Sequence, residues 1–388
     1  MTQALLDLDL HTTAAAATTP GRVGFDIGWE HARHALVPPA ALLLADAPTA
    51  CPVGQGWRAG RAVFGARTAT ATRAVRQWLA LRLQAWQEGA VFEEQQVTPQ
   101  HLVQLDTRFC PVTRKPLGGA PDGDDAPVLV RLCDDAGYVA GNLVVLSRAA
   151  ARAKAGRSAV QLLDLAARQA RAAADAAAGT AAGDDGVLDA DAWVRLATLA
   201  SFAVELPQAE AARVPLRALP PRRVRVLNPA QELQTLLTLR LQAAGWSRRA
   251  AAMADLLPRQ ALRHDFNLFV GALAARLMAI PGDADTRAQH WALEDAWACP
   301  RVQRRWSHLM LQFAAGDARA WLQRLTTSAL GPISSPRAAP RLQVDGSEAA
   351  PVGRVPASAG RLLQGRAGSC YRAGATARPA QRARQAVA

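Results

Sequence analysis

From residue 188 to residue 325, apolar side chains recur at intervals of three and four residues, which is the spacing of a helix with one buried face. One such segment begins at Asn228-Pro229 and carries Leu233, Leu236, Leu237 and Leu241. Asparagine before proline is a common way to begin a helix, and Gln231 is placed for a capping box. A second helix is expected to begin at Asp265. The pattern predicts a helical bundle over residues 188–330.

The N-terminal half combines helical and strand patterns. An amphipathic helix is predicted over residues 72–90 with Gly89 as its end, and Thr98-Pro99 is expected to begin a short helix. Two β-type runs, at 128–132 and 143–146, are separated by aspartate and glycine residues. A helix is predicted directly after them, over residues 147–154, followed by a longer one from residue 158 towards residue 178. The local order is therefore strand, strand, helix.

These patterns predict an α+β fold that is mostly α. We expect an N-terminal domain at residues 21–178, containing a small ββα module at about 98–156, and a helical domain at residues 188–330. The segment 179–187 contains glycine and aspartate and is predicted to be a linker. Residues 1–20 are expected to be flexible. Residues 331–388 are rich in Pro, Gly, Ser and Ala and are expected to form a disordered, arginine-rich tail.

The net charge of +13 does not by itself indicate nucleic-acid binding. The chain has 43 arginines and two lysines and is rich in alanine, a bias that GC-rich coding sequence also produces. The tail at 331–388 carries nine arginines against two acidic residues, so it holds +7 of the total charge. Residues 1–330 carry only a modest excess, and function therefore has to be inferred from particular residues.

The chain is expected to be a cytoplasmic protein without a membrane segment. No lysine or arginine precedes Arg22, so the start lacks the positive region of a signal peptide. The longest apolar stretch, at residues 35–45, is about half a membrane span and contains two prolines. The five cysteines are odd in number and far apart, which is typical of free thiols in a reducing compartment.

Residues 109–156 combine features that have chemical meaning. A Cys-Pro-x-Thr turn precedes the first β run, Gly-Tyr and Gly-Asn pairs connect the two runs, and the following helix ends in lysine. In this order, the segment resembles the central part of HNH (ββα-metal, His-Me finger) endonucleases. The resemblance covers about 45 residues, and its positions are Cys110, Pro111, Thr113, Leu117, Arg131, Asp134, Gly137, Tyr138, Asn142 and Lys154.

The resemblance implies a frame that holds one divalent cation against a scissile phosphate while a histidine deprotonates water. This sequence departs from the family at three points of that machinery. Val130 stands in place of the metal-side acid, Ala151 stands in place of the helix asparagine or histidine, and no histidine occurs between His101 and His264. We therefore expect a degenerate frame without nuclease activity and without a cofactor. Mg²⁺ or Mn²⁺ is expected only if the nuclease is active.

The candidate site residues follow from this segment. The candidate catalytic residues are Asn142, Arg131 and, as a base recruited from outside the module, His101. Nucleic-acid contacts are assigned to Arg131, Arg148, Arg152 and Lys154. Structural roles are assigned to Cys110, Thr113, Gly137, Tyr138 and Gly141, with the Tyr138 ring expected to pack against the following helix. The candidate metal ligands are Asp134 and Asp135, although two carboxylates alone are too few ligands for a strong metal site.

Two other groups of residues have a chemical interpretation. His31 and His34 have the spacing of a shared metal site but no evident third ligand, which favours ordinary structural or surface histidines. Four arginines lie around Pro220-Pro221 and either contact phosphates or form a solvated connector: Arg217, Arg222, Arg223 and Arg225.

Two functions stay open at this point. The first is a bacterial, cytoplasmic protein whose degenerate HNH-like module binds DNA or RNA without cleaving it, with an active metal-dependent nuclease as a further variant. The second is a non-catalytic helical structural or interaction protein with a protein partner at the helical domain. A binding function predicts that charges converge on the face from Arg131 to Lys154, whereas a scaffold does not. The sequence does not indicate an oligomeric state.

Overall fold

The computed structural model describes residues 20–43, 51–177, 188–242, 245–281, 285–314 and 316–328. The predicted linker at 179–187, the predicted tail at 331–388 and all but one residue of the predicted flexible segment 1–20 lie outside these ranges. Within them, no helix combines the length and the apolar character needed to cross a membrane.

The described residues form fourteen α-helices and one two-stranded antiparallel sheet, so the fold is α+β and mostly α, as predicted. The elements are α1 (Pro20–Arg33), α2 (Pro52–Phe64), α3 (Arg73–Glu88), α4 (Pro99–Leu105), β1 (Pro127–Arg131), β2 (Leu143–Ser147), α5 (Arg148–Lys154), α6 (Ala159–Ala177), α7 (Ala190–Phe202), α8 (Gln208–Ala211), α9 (Pro229–Leu241), α10 (Trp246–Asp255), α11 (Gln260–Leu277), α12 (Thr286–Asp295), α13 (Pro300–Leu311) and α14 (Asp317–Thr327). Short 3₁₀ turns occupy Ala40–Leu42 and Ala296–Ala298.

Side-chain caps set several of these boundaries where the sequence predicts them. The hydroxyl of Thr72 accepts a hydrogen bond from the Val75 N–H at the start of α3, and Gly89 ends that helix in the left-handed conformation. Thr98 caps α4 in the same way, and Ser147 caps α5. The caps satisfy backbone donors that a helix leaves without partners in its first turn.

Two predicted helix starts differ from the structure. Helix α11 begins at Gln260, one turn before Asp265, because Leu262 is buried and extends the apolar face. The predicted capping box at α9 is wrong, because the Asn228 side chain makes no cap bond. Its amide donates to the carbonyl oxygens of Ser201 and Val204 instead. Asn228 therefore fixes the connection from α7 to α9.

The largest hydrophobic core contains residues from both sides of the segment 178–187. It includes Cys110, Val112, Leu132, Val144 and Leu146 from the first side and Trp297, Trp306 and Trp321 from the second. At its centre, the Phe269 ring lies 5.2 Å from Trp306 and 5.7 Å from Trp297 between centroids. Helices α6 and α7 also pack against each other across this segment. One core thus joins parts of both predicted domains, and the division between them stays a prediction.

Helices α1 and α2 pack with their backbones in direct contact. A methyl group at Gly28 would overlap the carbonyl oxygen of Val53, and one at Gly56 would overlap that of Phe25. Only glycine leaves room for this approach. The pair is completed on its inner side by Ile27, which is fully buried.

Candidate functional site

Strands β1 and β2 and helix α5 form the predicted strand–strand–helix unit. Val128 pairs with Leu146 and Arg131 with Leu143 in an antiparallel register. All five β2 residues are buried, which places the strand between the main core and the α3–α4 side. The chain then enters α5 directly at the Ser147 cap. The two β runs and the helix therefore lie where the sequence predicts them.

Cys110 anchors the turn that precedes this unit. Its side chain is fully buried, and its sulfur accepts hydrogen bonds from the backbone N–H groups of Thr113 (3.5 Å) and Ser147 (3.3 Å). The first bond closes the turn, and the second ties it to the end of β2. Cys110 and Thr113 thus have structural positions in the fold.

Asn142 clamps the loop between the two strands. Its Oδ1 accepts from the Cys133 N–H at 2.8 Å, and its Nδ2 donates to the carbonyl oxygens of Cys133 (2.7 Å) and Gly137 (2.8 Å). The residue is 3% exposed. Both amide N–H donors and the amide oxygen are therefore engaged inside the protein. Gly137 (φ 70°) and Gly141 (φ 95°) both have the positive φ expected for this connection.

Tyr138 packs away from α5, contrary to the prediction that its ring contacts the following helix. The ring stacks near Phe92 and belongs to a small core shared with α3 and α4. The Arg131 guanidinium lies 4.4 Å from the centroid of this ring. Glu88 on α3 accepts a hydrogen bond from the tyrosine hydroxyl at 3.1 Å, and it also forms an ion pair with Arg131 at 3.0 Å. The reason is that the loop before Asn142 pairs its backbone with residues 91–93, which turns Tyr138 towards α3.

We expect Tyr138 to titrate at an unusually high pH. Burial raises the pKa of its phenol to about 12, with Arg131 lowering it and Glu88 raising it. Because this pKa lies above the ordinary value of about 10, the folded chain retains a proton that the unfolded chain loses, and stability falls as the pH rises from about 10 to about 12. The chain has two tyrosines, so near-ultraviolet absorbance can follow their ionisation. The wild type should show one ionisation step near pH 12, and the Tyr138→Phe variant should lack that step. Two wild-type steps near pH 10 would contradict the assignment.

The basic residues assigned to nucleic acid on this unit are bonded within the protein. Lys154 is 3% exposed, and its Nζ lies 2.6 Å from Asp134 Oδ1. Arg148 donates to the Pro121 carbonyl oxygen at 2.6 Å, and Arg152 pairs with Asp124. Together with the Arg131–Glu88 pair, these contacts leave this face without the converging free cations that binding there requires, which is the arrangement expected of a scaffold.

Asp134 and Asp135, the candidate metal ligands, do not act as a pair. Both residues are exposed, but Asp134 is bonded to Lys154 and also lies 3.9 Å from Arg131. Across the described ranges, no group of three or more His, Cys, Asp or Glu side chains is arranged to hold a metal ion. At α1, His31 bonds to the Ile27 carbonyl oxygen and His34 lies 3.7 Å from Glu30, so each histidine has its own partner.

A polar cleft of about 490 Å³ lies beside the Ala140–Gly141 part of the strand–strand connection. We call it the basic cleft and define it by Gln96, Gln100, His101, Gln104, Arg223 and Arg225. The Arg225 N–H donates to the Gly141 carbonyl oxygen at 3.0 Å, which joins the arginine connector to the ββα unit. Arg223 and Arg225 are exposed, and among the described residues their guanidiniums have no hydrogen-bond or ion-pair partner. Arg217, by contrast, forms an ion pair with Asp191, with 3.0 Å between Nη2 and Oδ1.

His101 lines the basic cleft and is 8% exposed, and its buried Nε2 has no hydrogen-bond partner among the residues that the structure describes. Burial lowers the pKa of its imidazole, the Arg223 charge lowers it further, and Glu93 opposes the shift. The imidazole is therefore neutral near pH 7. Glu93 itself accepts a hydrogen bond from the Ala140 N–H, outside the lining of the cleft.

Arg223 has a left-handed backbone, with φ of 67°. It is the third residue of a turn closed by the Val224 N–H and the Pro221 carbonyl oxygen (3.1 Å). Glycine is favoured at this position of such a turn, and an arginine there is strained. Strain of this kind is concentrated at functional sites in proteins, and here it presents a guanidinium to the cleft.

The structure thus brings together two groups that the sequence leaves separate, His101 and the arginines after Pro221. The three glutamines of the cleft were not predicted. Two of them, Gln100 and Gln104, are one helical turn apart on α4, and this spacing is the only sequence signal for them. Compared with protein-family models, curated proteins and solved structures, the chain matches none.

Proposed function

We propose that this protein binds nucleic acid through the phosphate backbone, without cleaving it, at the basic cleft. One observation carries the proposal: Arg223 and Arg225, whose guanidiniums have no partner in the described part of the chain, line one cleft with His101 and three side-chain amides beside the ββα unit. Guanidinium groups bind phosphate oxygens through paired N–H donors, and amides and backbone N–H groups contribute further contacts. The basic residues on the other face of the unit have partners already.

The resemblance of residues 109–156 to HNH endonucleases supports the same function. In that family, the frame lies against a phosphodiester, and in this chain the basic cleft borders the frame at Gly141. The family's divalent cation does not fit the residues present, because Val130 replaces the acid and Asp134 is bonded to Lys154. The proposal therefore assigns no metal and no cleavage step.

A second function, as a non-catalytic structural or interaction protein, is favoured by one specific observation. Asn142 and Lys154, both central to the family resemblance, are buried and bonded to the loop 133–137. In this alternative, the unit only supports the helices packed on it, and a protein partner contacts the helical part of the chain.

Arg225→Ala is expected to weaken nucleic-acid binding several-fold and to lower the salt dependence of the affinity. Losing one phosphate contact reduces the slope of log K against log salt by about one. Fluorescence anisotropy with a labelled DNA duplex and an RNA duplex of the same sequence, using the full chain over a salt series, measures both quantities. Arg222→Ala is the matched control, because Arg222 is exposed in the same connector but does not line the cleft. The arginine-rich tail is present in all variants and cancels in the comparison.

Equal affinity and slope in Arg225→Ala and wild type would contradict binding at the cleft, and absence of any binding would leave the interaction-protein alternative. A plasmid incubation with Mg²⁺ or Mn²⁺ tests the remaining alternative. Metal-dependent nicking that His101→Ala abolishes would replace the non-cleaving proposal by an active nuclease in which His101 is the base.

A further inference from the structure

We infer that the basic cleft takes a phosphomonoester, such as the terminal phosphate of a nucleic-acid strand, in preference to an internal phosphodiester. The inference rests on the proposed function and specifies the ligand of the same site. It follows from the charge and the size of the cleft.

The charge of the lining favours a doubly charged ligand. Arg223 and Arg225 supply two permanent positive charges, and no acidic side chain in the described ranges forms an ion pair with either guanidinium. An internal phosphodiester carries one negative charge, whereas a phosphomonoester carries about −1.5 to −2 near pH 7. Of the acidic groups that influence the cleft, Glu93 acts on His101 and Glu232 on Arg225, and neither lines it.

The size and chemistry of the cleft favour the end of a strand. A volume of about 490 Å³ lies within the range of small-molecule sites and accommodates about one nucleotide. The lining contains no Phe, Tyr or Trp on which a base could stack. Thr98 and the three glutamines instead offer polar groups for phosphate and sugar oxygens. Recognition is therefore directed to the phosphate and is independent of the base.

His101 adds no third charge to this lining. Its imidazole is neutral near pH 7, because burial and the Arg223 charge both lower its pKa. Its Nε2 is buried and has no hydrogen-bond partner among the described residues. The preference therefore comes from the two guanidiniums, which attract a doubly charged phosphomonoester more strongly than a singly charged phosphodiester.

The left-handed backbone of Arg223 provides a variant that separates binding from folding. Arg223→Gly removes the guanidinium and places at φ 67° the residue that this conformation favours. A loss of binding in this variant therefore cannot be attributed to new backbone strain. Arg225→Ala removes the other guanidinium of the cleft at a position whose backbone is not left-handed.

The test uses the full chain and single strands of one sequence that carry either a phosphate or a hydroxyl at the 5′ end, with the label at the 3′ end. We expect the wild type to bind the phosphorylated strand about tenfold more tightly, as one additional charge-assisted hydrogen bond provides. Arg223→Gly and Arg225→Ala should remove most of this difference, and Arg222→Ala should retain it. Circular dichroism of each variant confirms its folding.

Three outcomes overturn all or part of this inference. Equal binding of both strands by the wild type, with both weakened by Arg225→Ala, refutes the phosphomonoester preference but keeps the backbone contact. Binding of neither strand refutes the proposed function as well. The third outcome comes from a competition experiment with a nucleoside 5′-monophosphate. If the mononucleotide displaces the strand at a concentration equal to the strand's Kd, the ligand of the cleft is a free phosphomonoester and not the end of a strand. Weak competition by the mononucleotide and by inorganic phosphate supports the strand end.

Discussion

Replacing Arg114 with alanine is expected to lower the free energy of unfolding by about 3 kcal/mol, because it leaves a buried carboxylate without its cation. Arg114 Nη2 lies 2.9 Å from Glu294 and 2.8 Å from Asp295, and the guanidinium is 5.6 Å from the Trp291 ring centroid. The Glu294 side chain is 4% exposed. These contacts connect the turn after Cys110 to α12, so they join parts of the chain that are 180 residues apart.

Urea denaturation of the wild type and Arg114→Ala measures this effect. The matched comparison is the double variant Arg114→Ala/Glu294→Gln, in which the buried charge is removed together with its partner. The amide oxygen of the new glutamine can still accept from the neighbouring Leu219 N–H, which donates to Glu294 Oε1 at 2.8 Å. We expect the double variant to be more stable than Arg114→Ala. The opposite order would show that the carboxylate is solvated and that the ion pair contributes little.

The second large effect is expected for Asn142→Ala, which should destabilise the fold by about 3 kcal/mol while leaving nucleic-acid affinity unchanged within about twofold. The substitution removes three hydrogen bonds, each to a backbone group of Cys133 or Gly137. A backbone group left without a partner costs about 1–3 kcal/mol where it is buried, as at Gly137, and less where water can reach it, as at the half-buried Cys133. The amide is turned towards this loop and does not line the basic cleft.

Thermal and urea unfolding measure the stability, and anisotropy measures the affinity of the folded protein. Asp135→Asn is the control, because Asp135 is exposed in the same loop and its replacement should change stability by less than about 0.5 kcal/mol. If Asn142→Ala keeps wild-type stability but loses binding or nicking, Asn142 contacts the ligand and its structural role is wrong.

Most elements of the fold can be predicted from the sequence because their signals are local. The amphipathic stripe of α3 lies between a capping threonine, Thr72, and a terminating glycine, Gly89, and both residues act as expected. The β runs and the Ser147 cap are read from a few adjacent residues. The start of α11 is less certain from sequence, because Leu262 is an isolated apolar residue whose burial depends on distant packing.

The candidate site could be predicted only in part because its contacts are between distant residues. Lysine is the residue least often buried, so the charge of Lys154 suggests a surface contact with phosphate. The structure buries it against Asp134, 20 residues earlier in the chain. The basic cleft joins residue 101 to residues 141 and 223, and no periodicity relates these positions. Arg223 has no sequence signal for its left-handed backbone, since glycine is what normally marks that conformation.

The contact between α1 and α2 restricts how this gene can change. In a chain rich in alanine, the exchange of glycine for alanine needs a single base substitution, and such exchanges are expected to arise often. At Gly28 and Gly56 the added methyl group would meet a carbonyl oxygen of the neighbouring helix. We therefore expect an alanine at either position to destabilise the packing of α1 against α2. The close packing of α1 against α2 thus depends on the absence of a Cβ atom at Gly28 and Gly56. A hydrophobicity scale does not detect this requirement.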